Sequence, residues 1–345
     1  MDVPPQARAG VVVDVHAHAL VPALTRLVAG QPGLAEESDR LARTFGPESS
    51  ARNQALVRGP WAAPLTDVPT RLRQMDESGV DVQAVSLIPS QYYYWAGEGL
   101  AADITTAANE HLAALARSRP DRLAGLAAVS LQHPRLAAEQ LELAMGRLGL
   151  RGAEISTSAA GRDFSDPYFE PFWEAAEHLG AFVFIHPWGC ALEDRLSAYY
   201  LSNVVGNPAE TTLALSHLIF GGVLDRHPGL RICAAHGGGY LPHYAGRSDH
   251  AWEVRPESRS TARPPSAYLR DLYYDSLVYQ AGTLAHLVQT VGAGRVLLGT
   301  DYPFDMGVTD PLDRLAAAGL DDGARAAIAG GTAAALLGIP AAPSR

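Results

Sequence analysis

The chain has 345 residues, of which 47% are hydrophobic and 19% are charged, a composition typical of a globular protein with a large core. Its formal net charge of −10 argues against nucleic acid as a partner. All 27 cationic residues are arginines, which excludes a lysine Schiff base, a pyridoxal phosphate anchor, a P-loop and a carbamylated lysine that bridges two metals.

The sequence also carries signals about its compartment. Two cysteines, Cys190 and Cys233, are too few for a disulfide framework and favour a reducing environment. Residues 1–10 lack the apolar core of a signal peptide, and no stretch approaches the ~20 apolar residues of a membrane span. We therefore expect a cytoplasmic protein with no membrane partner.

Short apolar runs alternate with amphipathic helical patterns along the chain. The predicted strands cover residues 11–15, 80–88, 123–131, 150–156, 181–186, 230–236, 272–277 and 295–301. The predicted helices cover residues 70–78, 101–118, 136–148, 168–179, 210–225, 282–291 and 322–337. Eight successive strand–helix units predict an α/β fold whose parallel strands close into a (β/α)8 TIM barrel, with a doubly wound open sheet as the alternative.

The chain is longer than eight such units require. The surplus lies mainly in residues 20–69, 188–208 and 240–266, which are connections after the first, fifth and sixth predicted strands. Long connections at the carboxyl ends of barrel strands build the pockets of such proteins. We predict one barrel domain over residues 1–345, with residues 20–69 as its largest loop insertion.

Five polar residues stand at the carboxyl ends of predicted strands. His16 and His18 end the first strand and point to the same side, because side chains alternate with a period of two. His186, His236 and Asp301 end the fifth, sixth and eighth strands. All strand ends of a closed parallel barrel share one rim, so we predict that these residues meet in a metal and catalytic site. Taken singly, each could instead be a core histidine or a helix cap.

These motifs resemble the amidohydrolase superfamily, and most closely the aminocarboxymuconate-semialdehyde decarboxylase-like family. The resemblance runs from residue 11 to about residue 337 and is carried by His-Ala-His at 16–18, His-Pro-Trp at 186–188, Asn-Pro-Ala-Glu-Thr at 207–211, His-Gly-Gly-Gly at 236–239, Arg-Pro-Pro-Ser at 263–266 and Gly-Thr-Asp-Tyr-Pro-Phe at 299–304. It implies one zinc ion per subunit, held by His16, His18, His186 and Asp301. It also implies that His236, together with Asp301, performs the catalysis.

The resemblance implies substrate contacts as well. Members of the family bind a dicarboxylate with two arginines, which match Arg58 and Arg255 here, and the second comes from the partner subunit of a homodimer. Planar guanidinium groups suit bidentate binding of carboxylates. Trp188, Tyr199 and Phe304 are expected to wall the pocket. The alternatives are surface positions for the arginines and ordinary core packing for the aromatic residues.

Two features leave their roles open. Glu154 lies on the fourth predicted strand, where two-metal relatives place a bridging group. It could pair with an arginine, face a helix or contact the metal, and we favour a structural role. The three glycines after His236 either leave space for a substrate or form a tight turn.

Three histidines and one carboxylate suit Zn²⁺, and Mn²⁺, Fe²⁺ or Co²⁺ can occupy the same ligands. We therefore predict a zinc-dependent, non-oxidative decarboxylase of a small unsaturated or aromatic carboxylic acid. A hydrolase that activates water at the same zinc is the alternative, and a catalytically silent metal-binding scaffold is a third interpretation. The identity of the acid stays open, because the connection over residues 189–197 departs from the family pattern.

Overall fold

The computed structural model describes residues 10–340, in which parallel β-strands alternate with α-helices. The strands are β1 (Val13–Ala19), β2 (Val82–Leu87), β3 (Leu123–Gly125), β4 (Ala127–Ala128), β5 (Gly152–Ile155), β6 (Phe182–Ile185), β7 (Arg231–Ala234), β8 (Tyr273–Asp275) and β9 (Val296–Leu297). The segment at 1–9, where we expect no signal peptide, and residues 341–345 lie outside the described residues.

The helices fall between the strands and in the long connections. They are α1 (Pro22–Leu27), α2 (Pro32–Arg58), α3 (Ala62–Thr66), α4 (Val68–Ser78), α5 (Glu98–Ser118), α6 (Pro134–Gly146), α7 (Glu170–Leu179), α8 (Asn207–Phe220), α9 (Val223–Arg226), α10 (Leu241–Val254), α11 (Ala281–Val291), α12 (Pro311–Ala317), α13 (Asp322–Ala326) and α14 (Thr332–Leu337). No helix within residues 10–340 is both long and apolar enough to cross a bilayer.

The paired strands are all parallel, which confirms the predicted α/β class. Strands β1, β2 and β3 form one sheet, and β4 to β9 form a second sheet in sequential order. β3 and β4 are the two parts of the predicted third strand, with Leu126 between them. β1 also contacts the segment after β9, because Val15 N donates to Leu298 O at 2.9 Å and His18 N donates to Tyr302 O at 2.8 Å.

The strands are buried on both faces, as their continuous apolar runs predict. On β6, Val183 and Ile185 belong to the main cluster, which includes many residues of the flanking helices. Phe182 and Phe184 belong to a separate cluster made largely by other strands, including Leu297. This alternation follows the two-residue period of a strand and leaves the polar strand ends as the place where chemistry can occur.

The connection after β1 is largely helical, whereas the sequence analysis treats it as a loop insertion. Helix α2 contains Gly46 at φ +73° and Pro47, and it bends there because proline interrupts the helical hydrogen bonds. A Cβ on Gly46 would lie 2.0 Å from the carbonyl oxygen of Ser197, in the connection after β6. Phe45 also packs against Trp188, with ring centroids 5.6 Å apart. The two connections therefore meet over the strand ends.

The close approach at Gly46 predicts an unusually large cost for adding one methyl group. Gly46→Ala should lower the free energy of unfolding by about 3 kcal/mol or more, from a left-handed φ combined with a steric clash. Gly30 is the matched control, because it has φ +78° but would have nothing within 4 Å of its Cβ. Gly30→Ala should cost only about 1 kcal/mol. Urea unfolding measures both, and equal losses would contradict the close contact between the two connections.

Candidate metal and catalytic site

Four of the predicted residues converge in one buried cluster. Their ligand atoms all lie within 4.8 Å of one another, and the residues are His16, His18, His186 and Asp301. Each is at most 5% exposed. β1 supplies the first two, His186 directly follows β6, and Asp301 lies four residues after β9. The carboxyl ends of strands that are far apart in sequence thus meet at one point, as the motif positions predict.

The donor atoms in this cluster lack protein partners. His16 Nε2 and His18 Nε2 lie 3.2 and 3.3 Å from Asp301 Oδ1, but none of these atoms forms an aligned hydrogen bond with another described residue. Both ring nitrogens of His186 are also buried without a partner among residues 10–340. Buried polar atoms are costly when unpaired. Three imidazoles and one carboxylate are a good donor set for a divalent transition metal, so the residues fit such an ion.

The pKa values of the cluster residues depend on burial and on the charges of their neighbours. Burial alone would lower the pKa of His16, but the carboxylates of Asp301 and Asp275 raise it to about 10. Burial and the nearby imidazoles of His18 and His16 lower the pKa of His186 well below its usual value. Burial opposes ionisation of Asp301, yet His16 lowers the pKa of Asp301 well below its usual range. Binding of a metal ion must release the proton of His16, so metal affinity should fall in acid.

Asp275, at the end of β8, orients the His16 ring within the cluster. It was not among the site residues predicted from the sequence. Its Oδ2 lies 2.6 Å from His16 Nδ1, which turns His16 Nε2 towards the other ligands. Its Oδ1 accepts from Gly237 N at 2.8 Å, next to His236. Asp275 therefore joins a ligand to the turn that carries the candidate catalytic histidine. The available signal was an acidic residue inside an otherwise apolar strand end at 272–277.

A second buried aspartate, Asp14, supports the backbone of the site. It accepts from His16 N at 3.0 Å, from Thr300 N at 3.0 Å and from Thr300 Oγ1 at 2.7 Å. It also accepts from Gln83 Nε2 at 3.0 Å. Arg71, which is 2% exposed, donates to Gln83 Oε1 and to the carbonyl oxygen of His18. This network links the residue before Asp301 to the strand that carries two histidines.

His236 lies beside the cluster and is not one of its four members. Its Nε2 is 3.7 Å from Asp301 Oδ2, and its Nδ1 is buried without a hydrogen-bond partner among the described residues. Its ring centroid lies 5.3 Å from that of His16 and 5.2 Å from that of His186. Both His236 and Asp301 have a left-handed backbone, with φ values of +55° and +59°. Such conformations are concentrated at functional sites because they aim a side chain at the cost of strain.

The three glycines after His236 form a tight turn, which is one of the two roles considered above. Gly237 and Gly238 have φ values of +62° and +77°. A Cβ on Gly237 would meet the Val278 side chain at 2.3 Å, and one on Gly239 would lie 2.2 Å from the carbonyl oxygen of Pro208. The glycines are therefore required by packing against β8 and the start of α8.

Glu154 is buried on β5 and takes part in hydrogen bonds within the strand ends. Its carboxylate accepts from Ser86 Oγ and from the Tyr92 hydroxyl. Its Oε2 lies 3.6 Å from His18 Nδ1, and it is not a member of the four-residue cluster. Burial raises the pKa of Glu154, against the opposing effect of His18. Glu154 thus contacts the side of His18 that faces away from the cluster.

A cavity of about 410 Å³ opens onto the cluster. His186 and Asp301 form part of its wall, and α2 and the connection after β6 cover it. Arg58, Trp188 and Phe304 line it. The ring of Phe304 also packs 5.2 Å from that of His18, between centroids.

Two predicted pocket residues lie elsewhere in the single chain. Tyr199 is 90% exposed, and its neighbour Tyr200 lines the cavity instead. Both tyrosines have a left-handed φ, near +57°, so the chain turns sharply here. The sequence pattern does not reveal which of the two rings faces the cavity. Arg255 is exposed and pairs with Glu257 of the same chain, away from the cavity lining.

A family model described as Amidohydrolase matches residues 13–339, nearly the whole chain. The chain belongs to the amidohydrolase family. The resemblance drawn from its motifs is thereby confirmed, and the match includes all four members of the buried cluster and His236.

Several amidohydrolase relatives are similar over most of the chain. It is 38% identical over 247 residues to the 2-amino-3-carboxymuconate-6-semialdehyde decarboxylase of Dictyostelium discoideum, covering 71% of this chain and 69% of the relative. It is 30% identical over 281 residues to the gamma-resorcylate decarboxylase of Rhodococcus jostii (strain RHA1), covering 75% and 85%. The crystal structure of 5-carboxyvanillate decarboxylase from Sphingomonas paucimobilis matches with a TM-score of 0.82 at 25% identity, over 96% of this chain and 99% of that chain. All three are named as decarboxylases, the class that the resemblance predicts.

The bond between Asp275 and His16 predicts a specific effect on metal affinity. Asp275→Asn should weaken binding of Zn²⁺ by about 10- to 100-fold, because the carboxylate that orients the His16 ring is lost. Asp14→Asn is the matched control, since Asp14 is equally buried but contacts His16 only through its backbone N–H, and its other hydrogen bonds go to Thr300 and Gln83. It should lower the thermal midpoint and change Zn²⁺ affinity less than about threefold. Competition with a chelator measures affinity, and equal weakening in both variants would contradict the orienting role of Asp275.

Proposed function

We propose that this amidohydrolase is a metal-dependent, non-oxidative decarboxylase of a small unsaturated or aromatic carboxylic acid. The observation that carries the proposal is the buried cluster of unpartnered histidine and aspartate atoms that opens onto a cavity lined by an arginine. The three relatives named above, which are decarboxylases by name, support the same reaction.

His16, His18, His186 and Asp301 would hold one divalent ion, and their mixture of nitrogen and oxygen donors favours Zn²⁺, with Mn²⁺, Fe²⁺ or Co²⁺ as alternatives. When bound, such an ion supplies Lewis-acid polarisation of a substrate oxygen. Burial of the four side chains keeps bulk water away from this point. The walls of the cavity then decide which acid reaches it.

Arg58 would bind a carboxylate of the substrate. It is the last residue of α2 and lines the same cavity as His186 and Asp301. A guanidinium group can donate two parallel hydrogen bonds to one carboxylate, which fixes the orientation of the acid. Trp61 and Phe304 lie on the same wall, with ring centroids 5.0 Å apart, and offer an apolar surface for a conjugated ring or chain. The acid is thus held by its charge at one end and by ring contacts along its face.

His236 would supply the proton that the reaction consumes. The bond between the carboxylate carbon and the substrate carbon breaks, and its electron pair remains on the substrate carbon within the conjugated system. A proton from His236 Nε2 forms the new carbon–hydrogen bond, and carbon dioxide leaves. An imidazolium N–H can act as a general acid, and this nitrogen lies 3.7 Å from Asp301 Oδ2, at the edge of the cluster.

Replacement of His236 tests the reaction. His236→Ala should lower turnover by at least about 10²-fold, because general acid catalysis is lost, while the bound metal stays at one ion per chain. The test measures carbon dioxide released from gamma-resorcylate, 5-carboxyvanillate and 2-amino-3-carboxymuconate-6-semialdehyde. His250→Ala is the control, because His250 is exposed on α10.

In D₂O the product of a decarboxylase should carry one deuterium at the carbon that lost the carboxylate. A product that has instead gained the elements of water across a cleaved ester or lactone bond would show a hydrolase and contradict the proposal. Full turnover by His236→Ala would contradict the role of His236 alone.

We also propose that the enzyme is a homodimer in which Arg255 reaches the cavity of the partner subunit. In a single chain Arg255 is exposed just after α10 and pairs with Glu257 at the surface, a position from which it could contact another copy. Its residue type matches the second carboxylate-binding arginine implied by the family resemblance. A second arginine would give the cavity two positive groups for a dicarboxylate.

Mixing two inactive variants tests this arrangement. Arg58→Ala and Arg255→Ala should each be nearly inactive alone, because each removes one carboxylate contact from every site. After mixing and subunit exchange at equal amounts, about a quarter of all sites should be intact, because half of the dimers then hold one site with both arginines. Recovery of activity is measured against unmixed samples. No recovery, despite exchange shown by mass spectrometry, would contradict the contribution of Arg255 across the interface.

We further propose that the two sheets form one closed (β/α)8 barrel in a single domain. The hydrogen bonds from β1 to the segment after β9 support closure on one side, and Leu126 N, which donates to Val85 O at 2.9 Å, supports it between β3 and β4. A closed barrel explains why ligands from β1, β6 and β9 share one rim.

A further inference from the structure

A short π-helical turn, Ser202–Gly206, forms one wall of the cavity just before α8. Its turn is closed by the Asn207 N–H group, which donates to the carbonyl oxygen of Ser202. Ser202, Asn203 and Asn207 all line the cavity. Single π-helical turns are rare and are frequent at functional sites. Here the wider turn places three small polar side chains on the same wall.

Ser202 is the unusual member of this group. It is 3% exposed, and its Oγ has no hydrogen-bond partner among residues 10–340. Burial of a hydroxyl without a partner is unfavourable, and replacement by a smaller apolar group would be neutral or stabilising. The Ser202 hydroxyl therefore lowers the stability of the folded chain, and packing alone does not explain why a serine stands here.

The turn packs closely against the connection after β6. A Cβ on Gly206 would lie 3.0 Å from a methyl carbon of Leu196 and 3.3 Å from the Cβ of Cys190, which shows how closely the connection packs. Glu210 accepts from Ala191 N at 2.8 Å and ties α8 to the same connection. The hydrogen-bonding groups of the wall are therefore oriented before a ligand arrives.

We propose that Ser202, Asn203 and Asn207 bind a hydroxyl or amino substituent of the carboxylic acid and thereby determine which acid is accepted. This inference rests on the proposed function and names the chemistry of its substrate. The three side chains are neutral and can both donate and accept, so they suit a neutral substituent, whereas Arg58 suits the carboxylate.

Such a wall discriminates in two ways, because it binds acids that carry the substituent and disfavours acids that lack it. An acid that lacks the substituent leaves the buried hydroxyl of Ser202 unpaired, and it forgoes the hydrogen bond that a substituted acid forms. Sites built to hydrogen-bond a substrate group discriminate strongly against analogues that lack it. The aromatic walls cannot do this, because an apolar surface accepts rings with and without one more hydroxyl almost equally well.

Binding of unreactive probes tests the wall independently of turnover. The probes are 2-nitrophenol and the four isomeric dihydroxynitrobenzenes made by adding one hydroxyl to its ring, and binding to the Mn²⁺-loaded protein is measured by calorimetry. At least one dihydroxy isomer should bind about tenfold more tightly than 2-nitrophenol, the gain typical of one hydrogen bond to a buried group. In Ser202→Ala this preference should fall below about twofold, while the affinity for 2-nitrophenol changes little.

Ser216→Ala is the matched control, because Ser216 lies on α8 outside the cavity lining and bonds the carbonyl oxygen of Thr212. It should keep the preference of the wild type. Without a ligand, Ser202→Ala should have a thermal midpoint equal to or above that of the wild type, which separates a binding role from a structural one. A preference that persists in Ser202→Ala, or no preference in the wild type, would overturn the inference. Neither result depends on whether carbon dioxide is released.

Discussion

The constraint on which this structure depends is the burial of four ligand side chains whose facing atoms form no aligned hydrogen bond with any residue of 10–340. The ligand atoms of three imidazoles and one carboxylate lie within 4.8 Å of one another, at or just beyond the carboxyl ends of β1, β6 and β9. Such a group of atoms is unfavourable unless a cation binds between them. The fold maintains it through buried carboxylates at its edges, Asp275 against His16 and Asp14 against the adjoining backbone.

A second constraint, the contact between two long connections, determines how the site is covered. The kink of α2 at Gly46 brings the helix against Ser197, and Phe45 packs on Trp188. The cavity between these connections and the strand ends is lined by Arg58 and by the π-helical turn at Ser202. Charge, ring contacts and neutral hydrogen bonds are thereby supplied by different segments, so each can vary without disturbing the metal ligands.

Much of the fold and of the ligand set could be predicted from the sequence. Buried parallel strands leave continuous apolar runs, and a histidine or aspartate directly after such a run lies at the common edge of the sheet. His16, His18, His186 and Asp301 could therefore be placed together before any coordinates existed. β3 and β4 appear as one run because a single residue, Leu126, separates them without breaking the apolar pattern.

What could not be predicted depends on contacts between distant segments. Asp275 is marked only by its position within a strand, and its partner His16 lies 259 residues away. Helix α2 buries few of its residues and is interrupted at Gly46 and Pro47, so its sequence resembles a loop. Tyr199 and Tyr200 differ only in which ring a left-handed turn directs into the cavity. Arg255 is exposed in the single chain, and no local pattern encodes the contact with a partner subunit that we propose for it.

The central claim is that the four side chains bind one divalent ion, and an anomalous difference map tests it most directly. Crystals grown with Zn²⁺ and measured on both sides of the zinc absorption edge should show one strong peak within bonding distance of His16 Nε2, His18 Nε2, Asp301 and a ring nitrogen of His186. A map with no peak between these atoms, or with its strongest peak at other residues, would contradict the account.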